Sequence, residues 1–410
     1  MRRVTTLCAL YAAFAMPVAM LGVAWPDIRE TLLRSEAELG VLAASYGVGR
    51  LTTATSSGML LRVVSFGPAT LASSGVLAVS CVVVATGPRW HVLVAVVLMV
   101  GLATGALESL GTRYLAVSGS VRSAGLAAGS YGVGATIGPA LVALTGNWRL
   151  AYVLAALATV VAGAAVASPA VRWPDGLAAR PGFAATQGAV AASVARVRTG
   201  HGRDRIVAPA RRVDGPDRTV VLLSLGLFFL FVGIEATAGQ WTATFLEQSR
   251  GLDRWSAGIA VSGFFAGITV GRLVLGAIDV PVRMLPLLAG LMVPLLAAVA
   301  AGPPWMAPVF VSLAGLTVAP MFPVLMATTG RRLGAIHAGR VSGWQLIAGN
   351  VGATALPAIA GLVVGAYSSD AVIFVLLTAG TAGAALLSLL VGDSIGVTGV
   401  AERRGIRLGG

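Results

Sequence analysis

The residues with chemistry to offer are few. Glu108 and Glu235 each sit in a long apolar run, as do Arg50 and Arg272. An ionised side chain in the centre of a bilayer costs at least roughly 2.5–3.5 kcal/mol on insertion scales, so such groups face a cavity or a partner. A carboxyl that is neutral when occluded and charged when open to water is what proton coupling requires. Glu108 therefore reads either as a protonatable group or as the structural partner of Arg50. Glu235, six residues before Trp241, reads either as a cavity carboxylate for a solute hydroxyl or a cation, or as the partner of Arg272. Tyr46, Gln240, Trp241, Trp344, Gln345 and Asn350 add rings and amides, the groups that stack on sugars and hydrogen-bond to them. Asp27 lies just past the first apolar run. Asp279 and Arg283 are one helical turn apart and suit a local gating clasp. His91, His201 and His337 are scattered, and no metal site is expected.

These groups need elements to hold them, and composition names the solvent. Of 410 residues, 57% are hydrophobic and 11% charged, against about 25% charged in a soluble domain. The chain is an integral membrane protein. Its net charge is +13, and all 29 basic residues are arginine, which we read as composition bias. Cys8 and Cys81 both lie in apolar runs, so no disulfide framework is expected. The N-terminal apolar run spans about 20 residues, longer than a signal core, and is expected to be a retained helix.

A hydrocarbon core of roughly 30 Å takes about 20 residues per helix. Twelve runs of that kind fall near 4–24, 38–61, 67–87, 91–116, 122–146, 149–170, 219–246, 255–278, 283–302, 305–329, 341–366 and 371–392. With both termini in the cytoplasm, 21 arginines fall on cytoplasmic segments and six on outer loops, an asymmetry that sets the orientation. Trp25, Trp90, Trp148, Trp241, Trp255 and Trp305 fall at outer helix ends, where amphipathic rings prefer to sit. The chain divides into a six-helix half at 1–172, an arginine-rich cytoplasmic linker at 173–217 and a second half with a short tail at 218–410. The linker lacks interleaved aromatic residues, so a solvated connection is preferred over a nucleic-acid site.

The halves repeat. Val133-Gly-Ala-Thr136 recurs as Val351-Gly-Ala-Thr354, and the same shift of 218 carries Gly40 to Gly258, Gly58 to Gly276 and Pro139 to Pro357. Val48-Gly-Arg-Leu51 recurs as Val270-Gly-Arg-Leu273. Parallel halves with a site between them at the midplane are a carrier architecture. No Gly-x-x-x-x-Gly-Lys loop, Gly-x-Ser-x-Gly elbow or His-Glu-x-x-His pair occurs, so ATP-driven pumping and hydrolysis are not expected. The chain reads as a carrier rather than an enzyme, with no cofactor.

Five segments carry a family resemblance: Trp25-Pro-Asp27-Ile; Gly105-Ala-Leu-Glu108-Ser-Leu-Gly-Thr-Arg-Tyr114; Val232-Gly-Ile-Glu235 with Gln240-Trp241 and Gly271-Arg272-Leu273; Ala319-Pro-Met-Phe-Pro323; and Gly343-Trp-Gln345 with Pro357. In these the chain resembles the major facilitator superfamily, in particular its fucose-permease-like branch. The resemblance implies an all-α fold of twelve transmembrane helices in two six-helix halves. It makes Glu108 the proton-coupling carboxylate and Asp27 a second candidate for that role. Two departures stand out. The superfamily's Gly-x-x-x-Asp-Arg-x-Gly-Arg signature here has Arg62 in the Asp position and Ser65 in a Gly position, which puts the usual gating clasp in doubt in the first half. Thr112 stands where the branch has Asn on the fourth helix.

The expected function is proton-coupled, alternating-access transport of a small polar solute, a sugar first. Glu235, Gln240, Trp241, Tyr46, Gln345 and Asn350 would bind that solute. The alternatives are proton-antiport export of a drug-like or endogenous metabolite, and a non-transporting receptor or scaffold. The expected partners are a small molecule, protons and lipid, and the expected form is a monomer in the plasma membrane.

Overall fold

The computed structural model describes residues 2–63, 65–118, 121–168, 171, 173, 217–277, 280–333 and 335–403. In chain order the helices are α1 (Arg2–Leu32), α2 (Leu39–Val63), α3 (Phe66–Ala85), α4 (Trp90–Ser118), α5 (Val121–Thr145), α6 (Trp148–Ala167), α7 (Arg218–Gln248), α8 (Arg254–Ala277), α9 (Leu285–Ala301), α10 (Ala307–Val318), α11 (Met321–Leu333), α12 (Ala335–Ala366) and α13 (Ala371–Arg403).

 Among the described residues no strand interrupts them. Of the described residues, eleven stretches are long and apolar enough to cross a bilayer, with α10 and α11 together forming one of them, Pro304–Leu333. The 25-residue α2 fills the remaining place in the order of twelve.

Several boundaries differ from the sequence expectation, each for a local reason. The first helix continues to Leu32, so Asp27 lies on α1 rather than beyond it; Pro26 sits inside the helix, beside the buried Trp25 and Ile28. The tenth run is not continuous. Pro320 has no N–H and disfavours helix at the residue before it, and the helix breaks between Val318 and Met321. The eleventh helix begins earlier, at Ala335, and the last runs on to Arg403. Of the expected linker, only Trp173 and Asp217 are described. Trp173 packs on Phe66 and Tyr114 with ring centroids 4.5 and 4.9 Å away, and Asp217 caps α7 by accepting from the Thr219 N–H at 2.8 Å.

The tryptophans divide. Trp255 and Trp305 are exposed, as an interfacial belt requires. Trp25, Trp148 and Trp241 are buried instead. Two of these have satisfied ring N–H groups, which donate to the Glu36 carbonyl at 3.1 Å and the Pro357 carbonyl at 3.0 Å.

Packing explains the sequence repeat. α1 packs on α5 as α7 packs on α12, and α2 packs on α4 as α8 packs on α10. A Cβ on Gly134 would stand 2.0 Å from the Ala12 carbonyl oxygen on α1. A Cβ on Gly352 would stand 2.0 Å from the Phe229 carbonyl oxygen on α7. The repeated Val-Gly-Ala-Thr segment thus supplies the same backbone-to-backbone approach twice, the use small residues have between helices in lipid.

The two sets of helices, α1–α6 and α7–α13, meet along α1·α7, α2·α12 and α5·α8. Gly22 abuts the Gln240 backbone, Gly40 abuts Gly361, and Gly258 abuts Ala143 and Val23. These contacts lie toward the loop face opposite the termini, called here the distal face. Deeper contacts reach Gly47 with Thr354 and Gly132 with Thr269.

Candidate solute and proton site

Two acid–base pairs stand inside the bundle, one in each set of helices. On α2 and α4, Arg50 donates to Glu108 Oε2 from Nη2 at 2.7 Å and from Nε at 3.1 Å. Gly101 and Gly105 let α4 approach the backbone around Tyr46 and Arg50 closely enough for this. On α7 and α8, Arg272 Nη2 donates to Glu235 Oε2 at 2.8 Å. Both carboxylates engage a single oxygen in these bonds, which leaves each Oε1 open to a further donor. Arg272 Nε is buried without a hydrogen-bond partner. The Glu108 and Glu235 side chains are 29% and 21% exposed, so both reach open space while lying on membrane-spanning helices.

Tyrosines frame the pairs. Tyr46 accepts a hydrogen bond from the Thr104 hydroxyl at 3.3 Å and lies within electrostatic reach of Arg50 and Glu108. Tyr11 reaches the Glu108 carbonyl and the Thr112 hydroxyl, both at 3.4 Å. Tyr131, on α5, lies within reach of both Glu108 and Glu235, with its ring 5.8 Å from Phe14. Neither Tyr11 nor Tyr131 was singled out in the sequence. Their signal there is slight: a polar hydroxyl in a run of otherwise apolar and small residues.

Gln240 lines a small cleft with Tyr46 and Tyr152, and its Oε1 is buried with no partner. Glu235 lines a second small cleft, against Met321 and Phe322 at the break between α10 and α11. Asn350 is half-buried on α12.

Other expected site residues are placed elsewhere. Trp241 is fully buried and bound to the Pro357 carbonyl, so it ties α7 to α12. Gln345 is also fully buried. It donates to Ser224 Oγ at 3.1 Å and accepts from Thr329 Oγ1 at 3.0 Å, which spends its amide on packing within α7–α13. Trp344 is exposed, with the Arg340 guanidinium 4.8 Å from its ring centroid. Asp27 is bonded to Arg254 at the distal face, away from Glu108. Arg283 is exposed in a short turn, Val282–Met284, and Asp279, its expected partner, lies outside the described residues. Among the described residues no cluster of His, Cys, Asp and Glu could hold a metal ion.

A helical bundle with paired halves and charged groups at its centre defines a class, that of membrane carriers. The chain belongs to the Major Facilitator Superfamily, whose model matches residues 7–357. The human organic anion transporter MFSD10 (TETRAN) is 18% identical, with a TM-score of 0.61 over 94% of this chain and 99% of that one. A variant of the nucleoside transporter NupG is 13% identical, with a TM-score of 0.73 over 95% of this chain and 100% of that one. At these identities the likeness is one of fold. No curated relative matches the sequence. Family and fold together are those of a secondary transporter, which works on a small molecule from within a lipid bilayer.

Proposed function

We propose that the chain imports a small polyhydroxylated solute, a sugar first, by proton-coupled alternating access, in the manner of the fucose-permease-like branch. The observation that carries this reading is the pair of partly exposed carboxylates, Glu108 and Glu235, each held by an arginine through one oxygen. A carboxylate so held has an oxygen left for a proton or a hydroxyl donor.

In this reading Glu108 is the proton carrier. When it takes a proton it loses its charge and releases Arg50, and the freed guanidinium becomes a donor to the solute. When the proton leaves, the pair re-forms and the solute is let go. Glu235, Gln240, Tyr46 and Asn350 contact the solute, while Trp241 and Gln345 hold the helices that present them. The moving parts are 1–172 and 218–410, joined by 173–217. The glycine contacts at the distal face support a seam between the parts that closes there while the pairs stay open to water. The distal face is the outer one and both termini are cytoplasmic, as the arginine distribution favours. The carrier is a monomer of the plasma membrane, and Asp279 with Arg283 forms a clasp on its inner face.

The test is uptake into proteoliposomes with an imposed pH gradient, against neutral sugars, nucleosides, organic anions and lipophilic cations. Accumulation of a neutral sugar or nucleoside driven by outside acid is expected. Accumulation only of organic anions or lipophilic cations, or indifference to the gradient, would overturn it.

A further inference from the structure

A second group of charges lies away from the cavity pairs, at the distal face. Arg254, the first residue of α8, is hydrogen-bonded to Asp27 and, at 2.8 Å, to Glu30, both on α1. On the other side Glu247, near the end of α7, approaches Arg254 Nε at 4.0 Å. The Glu247 side chain is 9% exposed, against 55% for Glu30. One guanidinium therefore serves three carboxylates. The remaining charges in reach are Arg29 on α1, which faces Glu247, and Arg149 on α6, which faces Asp27. Arg29 is already engaged with Glu36 at 3.5 Å.

Crowded carboxylates do not all ionise, and they titrate as a group. The proton goes to the one with least water and the weakest counter-ion contact, which here is Glu247. The arrangement also has a direction. Arg254 and Glu247 belong to α7–α13, whereas Asp27 and Glu30 belong to α1. The bonds from Arg254 to α1 therefore hold the two sets together. An ionised Glu247 draws Arg254 back toward α7 and repels Asp27 and Glu30 across the seam. A neutral Glu247 leaves Arg254 to α1.

We propose that Glu247 is a proton-binding site that controls the distal seam: the closed seam holds a proton on Glu247, and its loss favours opening. Closure binds the proton more tightly than the open state does. By linkage, closure is favoured at low pH and lost as pH rises through the titration of Glu247 in the closed state. This site is separate from Glu108 and does not depend on which solute is carried.

The test needs no solute. Spin labels go on Leu33→Cys and Tyr367→Cys, exposed positions on distal loops of the two sets, with Cys8 and Cys81 replaced by serine. Distances are measured by electron paramagnetic resonance at about pH 5.5 and about pH 8.5, a range that brackets the titration of carboxyls crowded by like charges. A single short distance is expected at the lower pH, with a longer population growing several-fold at the higher. Glu247→Gln should keep the short distance at both, and Arg254→Ala should show the long one at both. A distribution in the unsubstituted seam that ignores pH would overturn the proposal without any variant having to fold. An unchanged pH response in Glu247→Gln would overturn it equally.

Discussion

The Arg50–Glu108 pair is where single residues decide most. Removing one partner leaves a charge on a membrane-spanning helix without its counter-ion, a loss of roughly 3–5 kcal/mol when the pair is buried. Water reaching Glu108 places the expected loss toward the lower end. Arg50→Ala and Glu108→Ala should each lower thermal stability more than the double substitution does, measured by unfolding in detergent. A double variant no more stable than the singles would mean that the pair contributes nothing by its charge. Tyr131→Phe should keep the fold and weaken solute binding several-fold, the scale of one neutral hydrogen bond at about 0.5–1.5 kcal/mol; an unchanged KM for uptake would remove Tyr131 from the site. Much at this scale was legible in the sequence. Arg50, Glu108, Glu235 and Arg272 stand out because charge is rare in apolar runs. The burial of Gln345 and Trp241 was not legible, because Ser224, Thr329 and Pro357 meet them only in the folded bundle.

At the scale of elements, the helices follow from the spacing of apolar runs, and their close approaches follow from glycine. Gly134→Leu and Gly352→Leu should be comparably damaging, since both face a backbone oxygen at 2.0 Å. Overpacking of this kind costs typically about 1–3 kcal/mol or more. Gly75→Ala, with nothing within 4 Å of the added carbon, should be neutral. Folded yield and melting temperature in detergent check all three, and equal tolerance at all three positions would contradict the packing described. The twelve runs could be read from length alone. The break at Pro320 could not be told from a kink, because a proline in a membrane helix is often accommodated by its neighbours. The placing of Asp27 on α1 was missed because Trp-Pro-Asp reads locally as a helix end, whereas burial of Trp25 and Ile28 extends the helix past it.

For the whole molecule, the order of spans and the repeat at a shift of 218 were both visible in the chain. The meeting of α1 with α7 and α8 at the distal face was not, since Asp27 and Arg254 are 227 residues apart. Orientation can be checked with exposed positions on the two faces. In intact cells, with the native cysteines replaced, an impermeant maleimide should label Tyr367→Cys and should label Arg283→Cys only after permeabilisation. The reverse pattern would invert the topology. The central claim is that Glu108 couples solute movement to protons, and glutamine at that position mimics the protonated acid in shape and neutrality. The most direct measurement compares counterflow with pH-driven uptake for Glu108→Gln in liposomes, using a solute the unsubstituted carrier accumulates. Exchange between the two pools should persist while accumulation against a gradient is lost. Full gradient-driven accumulation by Glu108→Gln would contradict the account.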